Sequence, residues 1–501
     1  MEAAGSGAAR WIRRHGEVLA VFAILAVAAV VRLVRLDLME FKADEAEACR
    51  LALHVLGEAE PGVGAFFPTA GLVASVGIPN PPLFVYLLAL PLAVIRTPLA
   101  GAAFVAATNV AAVGLCYLAG KRCFSTFVGL ASAALFALSP WAIVYSRKIW
   151  AQDVLPLFTG LFVLALYAFV VQKRTRAAFW LVLLAGAATQ IHFSAWVLVV
   201  VAAAAVAVER DGLRWRWVVL GVACVAVLYA PYVWHLIAVN GDTGQAAGDH
   251  VVPSALGRYR LAVRYTLAVA GGDKLSLLLG SQSALAFPLS FAFGTAAFAG
   301  LVAGARRWRT RALDRFRLLL VLWFVLPVAA LTAVRVTPYP HYFIVLYPLP
   351  FLGAAFALEK LSQRSLAAGL ATLGACLVAF GLLDAGLFRT ITREGGARGD
   401  YGVAYRHKAD AVDHFVRENP ARRFELGVVT ASAASPEYRF LVWRARRREK
   451  RPPLPPIVRY EIVDRLHTTV PPRRRSFRHE RFGPLDVVVV PLRPGAVSSQ
   501  R

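Results

Sequence analysis

The sequence predicts an all-α polytopic membrane protein of about 11 transmembrane helices, followed by a small carboxy-terminal α/β domain. Three observations predict it. Apolar runs of about 20 residues recur through most of the chain, long enough to cross a hydrocarbon core of ~30 Å. Hydrophobic residues make up 58% of the 501 and charged residues 17%, with a mean hydropathy of +0.58. A soluble chain has about a quarter of its residues charged. Finally, short basic loops alternate with the runs, until proline, arginine and short β-type segments take over after residue 388.

These features exclude a soluble enzyme, a nuclear factor and a secreted disulfide scaffold. The net charge is +25. In a soluble protein that excess would point to nucleic acid. Here it sits mostly in short loops and in the tail, so membrane topology explains it and no nucleic-acid partner is expected. The 5 cysteines form no CxxC and no Cys/His metal spacing, so neither a disulfide framework nor a thiolate metal site is expected.

The first run, 18–36, follows Arg10, Arg13 and Arg14. It has no small-residue cleavage site and is expected to stay as an uncleaved first span. Further spans are expected at 99–119, 125–140, 154–171, 177–190, 194–208, 216–236, 285–304, 317–334, 340–358 and 365–388. The loops Lys121-Arg122, Lys173 to Arg176, Glu209 to Trp217, Arg306 to Arg317 and Glu359 to Arg364 then all fall on the side of the amino terminus. That is the positive-inside pattern, with the amino terminus cytoplasmic and the tail extracytoplasmic in a plasma (inner) membrane, prokaryotic by its Arg- and Ala-rich usage.

Asn80-Pro81-Pro82 opens a further apolar stretch to Leu99. If it crossed, every later basic loop would move outside. It is therefore expected to lie in the interface or half-inserted, with Pro91 kinking it. The transmembrane domain is read as 1–388, with long outer segments 37–99 and 237–284. Residues 389–501 are read as the extracytoplasmic basic domain. Within it, 410–416 reads as helix, and 424–429, 457–462 and 485–490 read as strands.

Ionisable residues avoid the middle of the spans and gather at their outer ends. An ion-coupled transporter needs such groups near the midplane. The first outer cluster is Lys42-Ala43-Asp44-Glu45-Ala46-Glu47. Asp44 followed by Glu47 also fits a helix capping box. The second is Tyr145-Ser146-Arg147-Lys148 with Gln152-Asp153, where Asp153 could also cap a span. His192 stands in a short turn, and a lone histidine is more often structural than a ligand. Arg258, Arg260 and Arg264 sit in the second long outer segment. His341 and Tyr342 enter a later span. Together these supply carboxylates, cations and histidines at one face. That inventory suits displacement of a phosphate leaving group: a carboxylate deprotonates the acceptor, and cations stabilise the developing charge.

On these residues the chain resembles the type C glycosyltransferases, polytopic enzymes that use polyprenyl-phosphate sugars. The group includes protein O-mannosyltransferases, aminoarabinose transferases of lipid A and oligosaccharyltransferase catalytic subunits. Asp44-Glu45 is similar to the acidic motif of their first outer loop. Pro81-Pro82-Leu83 resembles the segment that follows that loop. Ser139-Pro140, Tyr145-Ser146-Arg147 and Asp153-Val154-Leu155-Pro156 resemble the second-loop signature. His192-Phe193-Ser194 and His341-Tyr342 with Tyr347-Pro348 resemble later segments.

The resemblance implies an inverting transfer from a polyprenyl-phosphate sugar to a lipid, glycan or protein acceptor at the outer face. Asp44 would be the base, and Glu45 would orient it or hold the sugar. Arg147, Lys148, Asp153, His192, Arg258, Arg260, Arg264, His341 and Tyr342 would bind the donor's phosphate or sugar. A divalent cation shared by Asp44 and Asp153 stays open, because the second loop offers a single clear acid. Two other classes stay open: a lipid-linked sugar flippase or transporter, and a non-catalytic envelope scaffold. Membrane lipids are partners in every case.

Overall fold

The computed structural model describes residues 2–60, 62–74, 77–238, 252–280, 284, 286–303, 312–419, 424–428, 436–446, 458–468 and 476–492. The chain opens with α1 (Glu2–Leu33), then α2 (Ala43–Val55) and α3 (Leu83–Val94). A run of apolar helices follows: α4 (Pro98–Cys123), α5 (Thr126–Leu138), the short α6 (Pro140–Tyr145), α7 (Leu155–Val170), α8 (Ala177–Thr189), α9 (Trp196–Val208) and α10 (Arg216–Ala238). After α11 (Ala255–Ala268) and α12 (Leu275–Leu279) come α13 (Ala286–Ala303), α14 (Ala312–Ala333), α15 (Leu349–Arg364) and α16 (Leu366–Glu394).

All eleven expected spans are helical. Among the described residues, seven helices are long and apolar enough to cross a membrane. An eighth crossing counts if Pro340–Leu346 and α15, bent by 60° at their junction, make one span. The stretches expected at 125–140, 177–190 and 194–208 fold as shorter apolar helices, so length alone does not settle the total. The stretch after Asn80 ends at Val94, and its 12 residues rise ~18 Å. That falls short of a ~30 Å core, as do the three shorter apolar helices just named.

Local chemistry sets the helix ends. Ser125 and Ser365 accept from Val128 N at 3.1 Å and Ala368 N at 3.2 Å, satisfying otherwise orphaned amides. Small residues let helices approach where no hydrophobic effect drives them together. A methyl on Gly120 would lie 2.7 Å from Gly129 Cα, fixing α4 against α5. One on Gly300 of α13 would overlap the Gly353 carbonyl of α15. Ionisable groups buried in long apolar helices include Arg32 of α1 and Asp384 of α16. The Arg32 guanidinium donates to the carbonyls of Ala137 and Phe136 on α5, at 2.8 and 3.2 Å.

Beyond α16 a two-stranded ribbon forms, β1 (Gly396–Ala397) with β2 (Gly402–Val403). Then come α17 (Tyr405–Glu418), β3 (Phe424–Val428), α18 (Pro436–Ala445), β4 (Val458–Asp464), β5 (Arg478–Phe482) and β6 (Leu485–Pro491). The sheet order is β3-β4-β6-β5, parallel between β3 and β4 and antiparallel elsewhere. Phe415 of α17 stacks on Tyr460 of β4 at 4.4 Å, seating the helix on the sheet. The helix α18 and the strand β5 were not expected. Arg447, Arg448 and Arg473 to Arg475 lie outside the described residues.

The tail grips the segment after α1. Lys408 Nζ donates to the Phe41 carbonyl at 2.8 Å, Phe440 packs on Phe41, and Arg444 pairs with Glu58 at 2.6 Å.

Candidate functional site

The polar loops at one end of the bundle enclose a cleft of about 440 Å³. Its walls come from α2 (Asp44), the 72–80 loop (Asn80), α6 and the loop after it (Trp141, Tyr145, Lys148, Trp150, Gln152), His192, Leu277-Leu278, Tyr339 to Tyr342, and Asp400. Every one of these segments falls on the face that the loop charges assign to the outside.

Asp44 opens into the cleft from the first turn of α2. The capping question resolves elsewhere. The N-cap is Lys42, and its backbone N–H donates to Glu45 Oε2 at 2.8 Å. Capping is therefore the work of Glu45, and Asp44 is free of that duty. Partial desolvation raises the Asp44 carboxyl above its ordinary range; Lys148 and Lys42 oppose the rise, and the carboxylates of Glu40 and Asp400 add to it. A raised carboxyl is a stronger base.

Lys148 reaches the cleft from the loop after α6. Its ammonium is 2.9 Å from Glu40 Oε2, 3.9 Å from Glu45 Oε1 and 3.0 Å from the centre of the Trp150 ring. Glu45, beside Asp44 in the first turn of α2, is fully buried and does not line the cleft. Burial first, and then the neighbouring Glu40 carboxylate, push its carboxyl up to about 7.

His192 Nδ1 accepts from Ser194 N at 3.2 Å and lies 2.8 Å from Ser194 Oγ. Burial drives its pKa down to about 3. The ring is therefore neutral, with Nε2 as its donor. His341 lies edge-on to Trp150 at 5.1 Å and stacks on Tyr339 at 5.7 Å; His192 meets Tyr342 at 5.6 Å. Trp141 stacks on Tyr145 at 4.9 Å, with its indole N–H held by the Asp273 carbonyl at 2.7 Å. Aromatic walls with a few polar groups suit the mixed faces of a sugar ring.

Of the residues singled out from sequence, the structure brings Asp44, Lys148, His192, His341 and Tyr342 into one cleft. Tyr145 and Gln152 of the second cluster line it too, while the remaining candidates lie elsewhere. Arg147 donates to four carbonyls at the end of α1. Asp153 is buried beyond the cleft wall; among the described residues neither carboxylate oxygen has a hydrogen-bond partner, while its carbonyl accepts from Asn109 at 2.7 Å. Arg258 closes the end of α14, donating to the Thr332 carbonyl at 3.0 Å, and also donates to the Pro253 carbonyl. Arg260 and Arg264 line a separate groove beside Tyr259, Phe287 and Phe291, with Arg264 paired to Asp273 at 2.7 Å.

Among the described residues Asp44 and Asp153 join no convergent trio of metal-ligating side chains. Among the described residues the trio found is His414, Glu418 and Glu480, in the tail. Arg478 pairs with both of its glutamates. Sequence reasoning read Asn80 only as the start of a helix and passed over Glu40 and Asp400. Asp400 carried no motif, and Glu40 reveals itself through Lys148, 108 residues away, as well as through its neighbour Lys42.

The family described as dolichyl-phosphate-mannose-protein mannosyltransferase matches residues 79–235. No curated protein matches the chain at significant similarity. The crystal structure of ArnT from Cupriavidus metallidurans bound to undecaprenyl phosphate superposes with a TM-score of 0.57. It is 14% identical over 95% of this chain and 98% of that one. The chain has a type C glycosyltransferase fold. The same ArnT in the apo state gives 0.56 at 14% identity, over 94% of this chain and 97% of that one. With this fold the chain is a multi-pass membrane protein, and its cleft is assembled from the loops of one face.

Proposed function

We propose that the chain is a membrane glycosyltransferase that moves a sugar from a polyprenyl-phosphate donor to an acceptor at the outer face of the membrane. The observation that carries this reading is the placement of Asp44. Its carboxylate, uncommitted to capping, shares one aromatic-walled cleft with the Lys148 ammonium and the neutral imidazole of His192. The type C fold, and the undecaprenyl phosphate bound by ArnT, supply the donor class.

The reaction is a single displacement. The acceptor oxygen attacks the anomeric carbon as Asp44 takes its proton. The bond from that carbon to the phosphate oxygen breaks, and the electron pair leaves with the polyprenyl phosphate. Lys148 stabilises the charge gathering on the phosphate. His192 and Tyr342 hold the sugar. No second nucleophile is needed for inversion.

The test is sugar transfer in proteoliposomes, screening undecaprenyl-phosphate sugars against lipid, glycan and peptide acceptors. Transfer with inversion, lost in Asp44→Asn, is expected. Transfer with retained configuration, or from nucleotide sugars alone, overturns the reading.

A further inference from the structure

We infer that Glu40 is a positioning residue: its carboxylate bridges Lys42 and Lys148 and holds the Lys148 ammonium at the cleft wall for the donor's phosphate. The inference rests on the donor reading above.

Lys148 and Glu40 are 2% and 1% exposed. A charge that buried is costly unless it is paired and hydrogen-bonded. Glu40 pairs through both oxygens and is hydrogen-bonded through one of them. Oε2 accepts from Lys148 at 2.9 Å, and Oε1 lies 2.6 Å from Lys42 Nζ. Glu45 is the other candidate, but it is 3.9 Å away and occupied with the Lys42 amide. Burial acts to raise both carboxyls. For Glu40 the two lysines outweigh it and hold the group below its usual range, while Glu45 is raised. Glu40 is thus the resident anion.

Its backbone is fixed from two sides. Glu40 pairs with Ala404 in an isolated bridge, and the neighbouring Met39 carbonyl accepts from Tyr405 N at 2.9 Å. Lys148 is fixed from the other direction, because Arg147 is anchored to the end of α1. An ammonium has three donors. One meets Glu40, and the Trp150 face takes a second direction. A third remains for a ligand oxygen.

The experiment uses the full chain in nanodiscs, with undecaprenyl phosphate and neutral undecaprenol as probes. Glu40→Gln and Lys148→Met are each expected to weaken undecaprenyl phosphate about tenfold and leave undecaprenol within about twofold, the loss of one charge-assisted contact. The double variant should bind no worse than Lys148→Met, because Glu40 acts through Lys148. Glu40→Asp keeps the charge and should recover most of the affinity. Full affinity in Glu40→Gln overturns the inference, as does a further loss in the double variant.

If Glu40→Gln fails to fold, the charge-balanced double variant should restore folded yield. A double that folds no better overturns the pairing. Equal binding of the phosphate and the alcohol by the unaltered protein would instead refute the donor reading. The folded-yield comparison would still decide whether Glu40 and Lys148 act as a unit.

Discussion

Lys42 and Asp400, 358 residues apart, meet at the cleft: Lys42 Nζ donates to the Asp400 carbonyl oxygen at 2.6 Å and lies 3.3 Å from its carboxylate. The segment after the last apolar helix therefore builds part of the cleft wall. The neighbouring amides of Asp400 and Tyr401 donate to the carbonyls of Leu277 and Leu278, which also line the cleft.

This relationship separates backbone from side chain. The Asp400 side chain is 74% exposed, so its ion pair with Lys42 contributes less than about 1 kcal/mol. Asp400→Ala keeps the carbonyl that Lys42 grips. It is expected to leave the thermal midpoint of the solubilised protein nearly unchanged while raising KM a few-fold, because a polar wall group is lost. Extensive loss of folded protein would show that the carboxylate, and not the carbonyl, joins the two segments.

Asp44→Asn separates chemistry from stability. The N-cap contacts of α2 belong to Lys42 and Glu45, so the change should cost almost no stability. Turnover should fall ~10²–10⁴-fold, as when a general base is removed. Initial rates normalised to folded protein decide it. Near-normal turnover would take the base role from Asp44.

The helical bundle was legible because its signals are local. Apolar runs and loop charge act within 20 residues, and each expected span is a helix. The gathering of Asp44, Lys148, His192, His341 and Tyr342 was legible through loop topology, which puts their segments on one face. The arginines were not. A guanidinium beside a cleft motif reads as an anion ligand, yet Arg147 and Arg258 are spent on helix-end carbonyls, a demand invisible without the fold. The glutamates swapped in the same way. Glu45 carries the motif but caps α2, while Glu40 carries no motif and faces two lysines.

Arg147 therefore makes a prediction opposite to that of Lys148. It donates to the carbonyls of Val31, Arg32, Val34 and Arg35 at 2.8–3.1 Å, satisfying the end of α1. Arg147→Met should destabilise the protein by on the order of 1.5–3 kcal/mol, the scale of hydrogen bonds to a charged group. Donor KM in the folded fraction should not change. Thermal unfolding read beside kinetics distinguishes the two. A raised donor KM with unaltered stability would return Arg147 to the phosphate site.

Glu45 and His192 should tilt stability with pH in opposite directions. Folding raises the Glu45 carboxyl from 4.5 to about 7. Its contribution is complete below about pH 4.5 and is lost as pH rises through 7, because the folded state holds a proton that the unfolded chain has released. Folding lowers His192 from 6.5 to about 3. Its contribution is complete above about 6.5 and is lost as pH falls toward 3. Between about pH 4.5 and 6.5 the two slopes oppose each other, each bounded by ~1.4 kcal/mol per pH unit. Asp44, also raised, adds to the Glu45 side, and Glu40, lowered, acts only below about 4.5. Each variant should therefore change the slope of the stability curve relative to the unaltered protein, in opposite senses. Measured against the unaltered protein, Glu45→Gln should gain stability as pH rises from about 5 to 6.5, and His192→Gln should lose it over the same range. Thermal midpoints at several pH values test both. Curves parallel to that of the unaltered protein would mean that neither group changes its proton affinity on folding.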